Sequence, residues 1–263
     1  MIRIEGVAKT YFSRAQSVPA LGNITATIQE GEFVSLVGPS GCGKSTLLHI
    51  LAGFDAPNAG QVVIDGAPVR RGSVPAGLGY IFQKDTVLPW RRVRDNIALG
   101  PRFRGVPRAE TDRKVDALLA LGGLQGFGDV FPHQLSGGMR RRVALLMTLA
   151  CDPRILLLDE PFGALDTHTR TLLHRALIEI WRDMKQTVVL VTHDLDEAVT
   201  LSDRILVLSR APSRVLLDHR VDLPHPRDVF TVRDTAAFSH HFRTIWRVLG
   251  EEFRESAGQA AAS

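Results

Sequence analysis

A glycine-rich segment near the N-terminus has the residue types and spacing needed to bind a phosphate group. Residues 38–46 read GPSGCGKST. Glycines let the backbone turn tightly so that successive N–H groups point at an anion, and a helix that begins here adds partial positive charge. Lys44 supplies a positive charge for the terminal phosphates of a nucleotide, and the Ser45 hydroxyl can bind Mg²⁺. The residues predicted to bind nucleotide are Gly38, Pro39, Ser40, Gly41, Cys42, Gly43, Lys44, Ser45 and Thr46.

Two acidic residues follow an apolar run later in the chain. Residues 155–160 read ILLLDE, which predicts a buried strand that ends at Asp159 and Glu160. Ligands of open α/β sheets bind at the carboxyl ends of strands, where these carboxylates would lie. We therefore expect Asp159 to hold Mg²⁺, directly or through water, and Glu160 to orient and deprotonate an attacking water. Many strands end in an acid that only caps a helix, and taken alone this pair leaves that alternative open.

A third segment also has the composition of an anion site. Residues 135–139 read LSGGM, and the following RRRVALLMTLA has helical composition. Ser-Gly-Gly at a helix N-terminus offers a hydroxyl and free backbone N–H groups to a phosphate, although by itself it is also an ordinary helix cap. One chain with two phosphate-binding ends is hard to explain unless two copies meet, each capping the nucleotide of the other. The residues predicted to reach the partner's nucleotide are Leu135, Ser136, Gly137, Gly138 and Met139.

The elements that must position these segments follow from hydrophobic periodicity. Alternation and short apolar runs predict strands, and wider periodicity predicts helices. The predicted strands are 1–7, 24–28, 32–37, 62–64, 79–82, 155–158, 188–191, 205–208 and 215–217. The predicted helices are 45–51, 114–121, 139–150, 169–184 and 238–253. Fully apolar strands separated by a helix indicate a parallel sheet covered on both faces.

The pattern along the chain predicts a nucleotide-binding domain over residues 1–220. Within it, residues 96–150 are expected to form a helical subdomain, because helical periodicity alternates there with Gly and Pro. Residues 221–263 are expected to be a partly helical C-terminal tail whose end, SAGQAAAS, is unstructured. This tail is either a solvated surface helix or a dimer or regulatory contact.

Composition narrows the class of protein. Of the 263 residues, 44% are hydrophobic and 23% charged, as in soluble globular proteins. No apolar run approaches the roughly 20 residues that cross a bilayer, and no signal-peptide pattern opens the sequence, so we expect the protein to stay in the cytoplasm. Cys42 and Cys151 lack zinc-site spacing and are expected to be reduced, packed thiols. The net charge of +4 is too small to indicate whether the partner is a nucleotide, a nucleic acid or a membrane surface.

The three motifs, in this order, resemble those of ABC transporter ATPases, and the resemblance extends over nearly the whole chain. Residues 38–46 resemble the Walker A motif, 135–139 the signature motif and 155–160 the Walker B motif. The resemblance implies an α/β P-loop ABC ATPase fold with a mostly parallel core sheet, an antiparallel β subdomain and a helical subdomain. It also implies ATP and Mg²⁺ as ligands.

Four further residues receive roles from the same resemblance. Tyr11 resembles the aromatic that stacks on adenine, and Gln83, in YIFQ, the Q-loop glutamine that reaches Mg²⁺ and the attacking water. Asp166, in GALD, resembles the D-loop residue at the dimer interface, and His193, in LVTHD, the switch histidine at the γ-phosphate. The alternatives are a core or surface aromatic for Tyr11, ordinary loop polar residues for Gln83 and Asp166, and helix capping at His193. The implied catalytic residues are Glu160, His193 and Gln83, and the implied Mg²⁺ ligands are Ser45, Gln83 and Asp159.

Two positions depart from the family pattern. Arg141 stands where the family usually has Gln, and Met147 lies near a usual Arg. Both are on the signature helix and are expected to lie outside the phosphate contacts. They therefore bear on coupling and on the packing of the helical subdomain rather than on ATP binding.

The segment after Gln83, KDTVLPWRRVRDNIALG, resembles a run found in importer ATPases for nitrate, sulfonates, taurine and related solutes. Residues 160–170 and 223–228 resemble the same branch. Trp90 is the most distinctive residue of this segment. It is either a packed aromatic under the Q-loop or part of a stiff platform for the coupling helix of a permease.

The resemblance implies the ATP-hydrolysing subunit of an importer for a small solute. Because one cassette supplies only half of each ATP site, a homodimer is expected, together with integral-membrane permease subunits and an external solute-binding protein. The expected location is the cytoplasmic face of the inner membrane, with no nucleic-acid partner. The alternatives are an exporter ATPase, a soluble ABC ATPase that acts on DNA or ribosomes, and a non-catalytic nucleotide-binding regulator. The resemblance implies a solute of the nitrate, sulfonate or taurine type, but the solute does not touch this chain, so its identity is not predicted.

Overall fold

The computed structural model describes residues 1–13, 16–84, 86–163 and 165–261. Within them, the strands are β1 (Ile2–Phe12), β2 (Ser17–Ile28), β3 (Phe33–Val37), β4 (Ala59–Ile64), β5 (Ala67–Pro68), β6 (Leu78–Ile81), β7 (Ile155–Asp159), β8 (Thr187–Val191), β9 (Arg204–Leu208) and β10 (Val215–Arg220). The α-helices are α1 (Lys44–Leu51), α2 (Val93–Ile97), α3 (Leu99–Phe103), α4 (Arg108–Leu121), α5 (Gly137–Leu149), α6 (Thr167–Met184), α7 (Leu195–Leu201) and α8 (Ala236–Ala261).

The chain divides into two compact units. Unit 1 combines Met1–Ala76 with Lys185–Ser263, and unit 2 is Gly77–Met184. Within the described residues, no helix is both long enough and apolar enough to cross a bilayer.

An antiparallel sheet opens unit 1, with the strand order β2-β1-β4-β5. Strand β1 runs five residues beyond the predicted end at residue 7, because register shifts along its pairing with β2 break the alternation of apolar and polar residues. Gly6, within this irregular part, has a φ of +60°. Such a bulge leaves the strand paired on both sides of it but interrupts the alternation of apolar and polar residues by which a strand is recognised in a sequence.

The parallel strands of unit 1 position its part of the site. Strand β3 pairs in parallel with β8 on one side and with β9 on the other, and β10 adds an antiparallel edge next to β9. All five residues of β3 are buried, as expected for a strand covered on both faces. The carboxyl end of β3 leads directly into the predicted phosphate-binding loop.

Unit 2 contains the other parallel pair and a helical cluster. Strand β6 pairs in parallel with β7, so that Tyr80 lies beside Leu157 and Ile81 beside Leu158. Helices α2, α4 and α5 bury a shared apolar cluster, and the side chain of Met147 packs against it. An apolar residue at this departure from the family pattern therefore suits the packing of the helices.

Helix α8 lies on the apolar core of unit 1. Its buried residues Phe238, Ile245 and Leu249 share a cluster with Val199 of α7 and Val207 of β9. The expectation that residues 256–263 are unstructured is wrong for its described part, because α8 continues to Ala261. Alanine, the commonest residue at this end of the chain, has the highest helix propensity.

Candidate functional site

The predicted phosphate-binding loop connects β3 to α1 in unit 1. Its last residue, Gly43, is the N-cap of α1 with a φ of 96°, in the left-handed region that only glycine adopts at little cost. A Cβ on Gly43 would also lie 2.9 Å from the carbonyl oxygen of Ala20. A Cβ on Gly38 would lie 2.8 Å from the carbonyl oxygen of Leu208. The neighbouring backbone therefore requires glycine at both ends of this loop.

The side chain of Lys44 points back into the loop. Its Nζ donates hydrogen bonds to the carbonyl oxygens of Gly38, at 2.7 Å, and Pro39, at 2.8 Å. Lys44 is only 5% exposed, so the ammonium is held at a fixed place beside the backbone N–H groups of the loop. A fixed cation next to a helix N-terminus is what the phosphates of a nucleotide need.

Cys42 is another buried residue of the loop. Burial raises the pKa of the Cys42 thiol above its ordinary value, with the positive charge of Lys44 acting in the opposite direction. The thiol is therefore uncharged at neutral pH. Both cysteines are free thiols, in agreement with the expectation of packed, reduced residues.

The ring of Tyr11 lies beside the first turn of α1. Its Oη donates to Oγ1 of Thr46 at 3.4 Å, and the side chain is 41% exposed. Lys9 places its Nζ 4.9 Å from the ring centroid and is itself held by Asp55 at 2.8 Å. The cation covers one face of the ring, and the exposed area is suited to stacking on a nucleobase.

His193 lies just after β8 and helps to line a cavity of about 680 Å³ beside the phosphate-binding loop. The loop residues Gly38, Pro39, Ser40 and Gly41 line the same cavity. Asp194, rather than His193, caps α7, because its Oδ1 accepts from the backbone N–H groups of Asp196 and Glu197. The capping role that was an alternative for His193 is therefore filled by Asp194.

In unit 2, the two acidic residues at the end of β7 each have a side-chain partner. Gln83 donates from Nε2 to Oε2 of Glu160 at 3.0 Å. Tyr80 donates from Oη to Oδ2 of Asp159 at 3.3 Å. Asp159 is 5% exposed. Gln83, the predicted Q-loop glutamine, and Glu160, the predicted general base, therefore lie within hydrogen-bond distance of each other.

Tyr80 is a site residue that the sequence analysis missed. Burial, and secondarily the charge of Asp159, raises the pKa of the Tyr80 phenol well above its ordinary value. The phenol therefore remains a neutral donor to Asp159 across the physiological pH range. The motif YIFQ contained the signal. Its first residue, Tyr80, lies in β6, which pairs in parallel with β7, the strand that ends at Asp159.

Glu160 has an unusual backbone conformation. Its φ is 45°, in the left-handed region that non-glycine residues seldom adopt. Such a conformation costs on the order of 1–3 kcal/mol and persists only when surrounding contacts hold it. The strand therefore ends in a turn that is fixed by its environment, at the residue predicted to activate water.

The LSGGM segment begins helix α5. Ser136 is the N-cap, and its Oγ accepts from the backbone N–H of Met139 at 3.2 Å. Leu135 is buried, whereas Ser136 and Gly137 are exposed and Gly138 is half-buried. The segment is thus a helix cap, and it also presents an exposed helix N-terminus of the kind that binds anions.

Asp166 is an exposed residue at the start of α6. Its Oδ1 accepts from the backbone N–H of Thr169 at 3.0 Å. The hydrogen bonds from Thr169 lower the pKa of the Asp166 carboxyl, which is therefore ionised at neutral pH. Ala164, which belongs to the predicted D-loop GALD, lies outside the described residues.

The predicted Mg²⁺ ligands are chemically suited to that ion. Ser45 in unit 1, and Gln83 and Asp159 in unit 2, offer hydroxyl, amide and carboxylate oxygens, which Mg²⁺ prefers. In the part of the chain that the structure describes, no three His, Cys, Asp or Glu side chains group as a metal site. A few oxygen ligands suit an Mg²⁺ ion that is bound mainly by nucleotide phosphates.

Comparison with known proteins assigns the family. Residues 21–163 match the family model described as ABC transporter. The chain belongs to the ABC transporter family. The predicted fold class, a P-loop ABC ATPase, is confirmed, and so is the predicted enzyme class, an ATP hydrolase.

Three relatives of this ABC subunit belong to one branch. The aliphatic sulfonates import ATP-binding protein SsuB of Bacillus cereus is 42% identical, over 86% of this chain and 88% of its own length. The taurine import ATP-binding protein TauB of Roseobacter denitrificans is 37% identical, over 92% and 90%. The nitrate import ATP-binding protein NrtD of Synechocystis is 40% identical, over 85% and 83%. The predicted resemblance to the nitrate, sulfonate and taurine branch is confirmed.

A solved ABC cassette has the same fold. The dimeric post-hydrolysis structure of the ATP-binding cassette MJ0796, bound to ADP and Pi, is 31% identical to this chain with a TM-score of 0.74. The match covers 85% of this chain and all of the solved one.

Proposed function

We propose that this ABC subunit binds and hydrolyses ATP as a homodimer and thereby drives the import of a small solute of the nitrate, sulfonate or taurine type. The observation that carries the proposal is that three import ATP-binding subunits align with it over more than four-fifths of both chains. A solved dimer of a similar cassette, bound to ADP and Pi, supports the paired state.

Each part of the proposed reaction has a residue suited to it. The loop around Lys44 binds the phosphates and Tyr11 stacks on adenine. Glu160 takes a proton from the attacking water, which Gln83 orients through its contact with the Glu160 carboxylate. His193 stabilises the charge that develops on the γ-phosphate. Bound Mg²⁺, held by Ser45, Asp159 and Gln83, would supply neutralising charge at the β- and γ-phosphates.

In the proposed dimer, each nucleotide is held by residues from two copies. The phosphate-binding loop comes from one copy, and the exposed N-terminus of α5 comes from the other, with Ser136 and Gly137 facing the phosphates. Asp166 then lies at the interface between the copies. Hydrolysis removes the γ-phosphate from this contact, so the two copies separate and the permease returns to its resting state.

A loop next to Gln83 has the properties of a docking platform for the permease. The side chain of Asn96, which is 0% exposed, accepts from the N–H of Leu88 at 2.8 Å. Its amide nitrogen donates to the carbonyls of Leu88, Arg91 and Arg92. Trp90, within this loop, is 70% exposed. A rigid loop that presents an exposed tryptophan resembles the energetic centre of a protein interface.

Replacing Trp90 with Ala should weaken binding to the permease by about 30-fold, the loss that corresponds to roughly 2 kcal/mol at an interface hot spot. Affinity for the permease in nanodiscs would be measured by surface plasmon resonance. Phe230→Ala removes another exposed aromatic, in unit 1, and is the control. Calorimetric titration with ATP checks that the nucleotide site is intact. Equal affinities for the wild type and Trp90→Ala would contradict the assignment of Trp90 to the interface.

The proposed site of action is the cytoplasmic face of the inner membrane, where the dimer binds peripherally to its permease. The function is tested by reconstituting the chain with its permease and solute-binding protein in lipid vesicles. Solute that accumulates in the direction of import, together with phosphate release, supports the proposal. Phosphate release without a paired species contradicts the proposal. Movement of solute in the opposite direction also contradicts it and favours an exporter.

A further inference from the structure

Arg141, on α5, binds two backbone segments of unit 2, one at Phe82 and one over residues 159–161 at the end of β7. Arg141 is 6% exposed. Nε donates to the carbonyl oxygen of Pro161 at 2.7 Å, and Nη1 donates to that of Phe82. Nη2 donates to the carbonyl oxygen of Glu160 at 3.2 Å and reaches that of Asp159 at 3.5 Å. The guanidinium thus contacts the residues on both sides of the predicted general base and the residue just before Gln83.

Only arginine can make this set of contacts from one side chain. Its planar guanidinium carries five N–H donors in a fixed fork. Glutamine, which the family usually has at this position, carries two N–H donors on a shorter stem. The substitution of Arg for Gln in this chain therefore allows one side chain to span carbonyls that belong to two separate loops.

The hydrogen bonds of Arg141 are made at the strained turn that contains Glu160. A residue with a φ of 45° keeps that conformation only if neighbouring groups fix it, and Arg141 binds the carbonyl of Glu160 itself. The hydrogen bond from Gln83 to the Glu160 carboxylate forms only if the backbone is fixed at both residues. Arg141 binds the backbone at both ends of this side-chain pair.

We propose that Arg141 is a positioning residue for ATP hydrolysis, which fixes the backbones of Glu160 and of the start of the Q-loop so that Gln83 and the general base stay aligned. This inference rests on the proposed function, because it assigns Glu160 to activation of water. Arg141 also lies five residues after the cap Ser136, on the same helix α5. The helix that would contact the partner's nucleotide therefore also holds the general base of its own chain.

The test compares variants of adjacent arginines on α5. Arg141→Met keeps most of the length of the side chain and removes all its donors, whereas Arg141→Gln restores the residue usual in the family. Arg142→Met is the matched control, because Arg142 donates to the carbonyls of Gly122 and Gly123 instead. Steady-state ATPase kinetics with the permease, and calorimetric ATP binding, are measured for each.

Arg141→Met should lower kcat by about 10- to 100-fold, since small misplacements of catalytic groups have effects of this size, and should change the KM for ATP by less than about twofold. Arg141→Gln should recover part of the lost kcat. Addition of Gln83→Ala to Arg141→Met should cost little more than the larger single effect, because the two act as a unit. Wild-type kcat in Arg141→Met, a loss matched by Arg142→Met, or fully multiplicative effects would overturn the proposal.

Amide hydrogen exchange supplies a readout that does not need turnover. Peptides that contain Phe82 and Glu160 should exchange faster in Arg141→Met than in the wild type or in Arg142→Met, because the carbonyls lose their anchor. Unchanged exchange there overturns the positioning role even if the wild type releases no phosphate. A wild-type protein that exchanges as expected but does not hydrolyse ATP contradicts the proposed function alone.

Discussion

Substitution of Glu160 by Gln should lower the rate of ATP hydrolysis by about 10²- to 10⁴-fold, the range of general-base assistance. The change removes the charge that is proposed to accept a proton from water but keeps a side chain of the same size next to Gln83. ATP binding should therefore remain, and the variant should accumulate as an ATP-bound dimer. Single-turnover phosphate release and light scattering with Mg-ATP measure the two effects.

A second glutamate of unit 2 provides the control for this variant. Glu179 forms a surface pair with Arg175 at 2.9 Å, and an exposed pair of this kind contributes little to stability. Glu179→Gln should hydrolyse ATP at the wild-type rate. Wild-type turnover in Glu160→Gln would remove Glu160 from the role of general base, and the water would then need another acceptor for its proton.

Substitution of Lys44 by Ala should lower affinity for ATP by about 100-fold, which corresponds to roughly 3 kcal/mol of lost charge-assisted contacts. The ammonium is the fixed positive charge of the loop, because two carbonyls of the loop hold it in place. Isothermal titration calorimetry with ATP measures the loss. Unchanged affinity would contradict the assignment of residues 38–46 as the phosphate-binding loop.

The loop itself needs a check in the Lys44 variant, because the same ammonium also binds the carbonyls of Gly38 and Pro39. Thermal unfolding shows whether unit 1 is still folded. Lys114→Ala serves as the control for loss of a lysine, since Lys114 pairs with Asp152 in unit 2. This control should bind ATP like the wild type.

The sequence predicted the parts of this protein that depend on neighbouring residues in the chain. The run of apolar residues in β3 and β7 reports their burial on both faces, and the spacing of Gly, Lys and Ser in residues 38–46 defines a local turn. Each of these patterns is complete within a short segment. The irregular part of β1 was not predicted, because a bulge interrupts the alternation from which a strand is recognised.

Contacts between distant segments were harder to predict. Arg141 was expected only to affect coupling and packing, but its acceptors are backbone carbonyls, which every residue has and which leave no trace in the sequence. Tyr80 meets Asp159 only because β6 and β7 pair in one particular register. The exposure of Trp90 likewise depends on how Asn96 binds its loop, since an aromatic residue alone is compatible with a buried or an exposed position.

The way α8 packs has a practical consequence for protein engineering. Since Ile245 and Leu249 cover the same apolar cluster as α7, helix α8 is part of the folded body of unit 1. A protein shortened after residue 220 would expose this cluster to water and be prone to aggregate. Affinity tags and fluorescent fusions are therefore better joined beyond Ala261 than inserted upstream of α8.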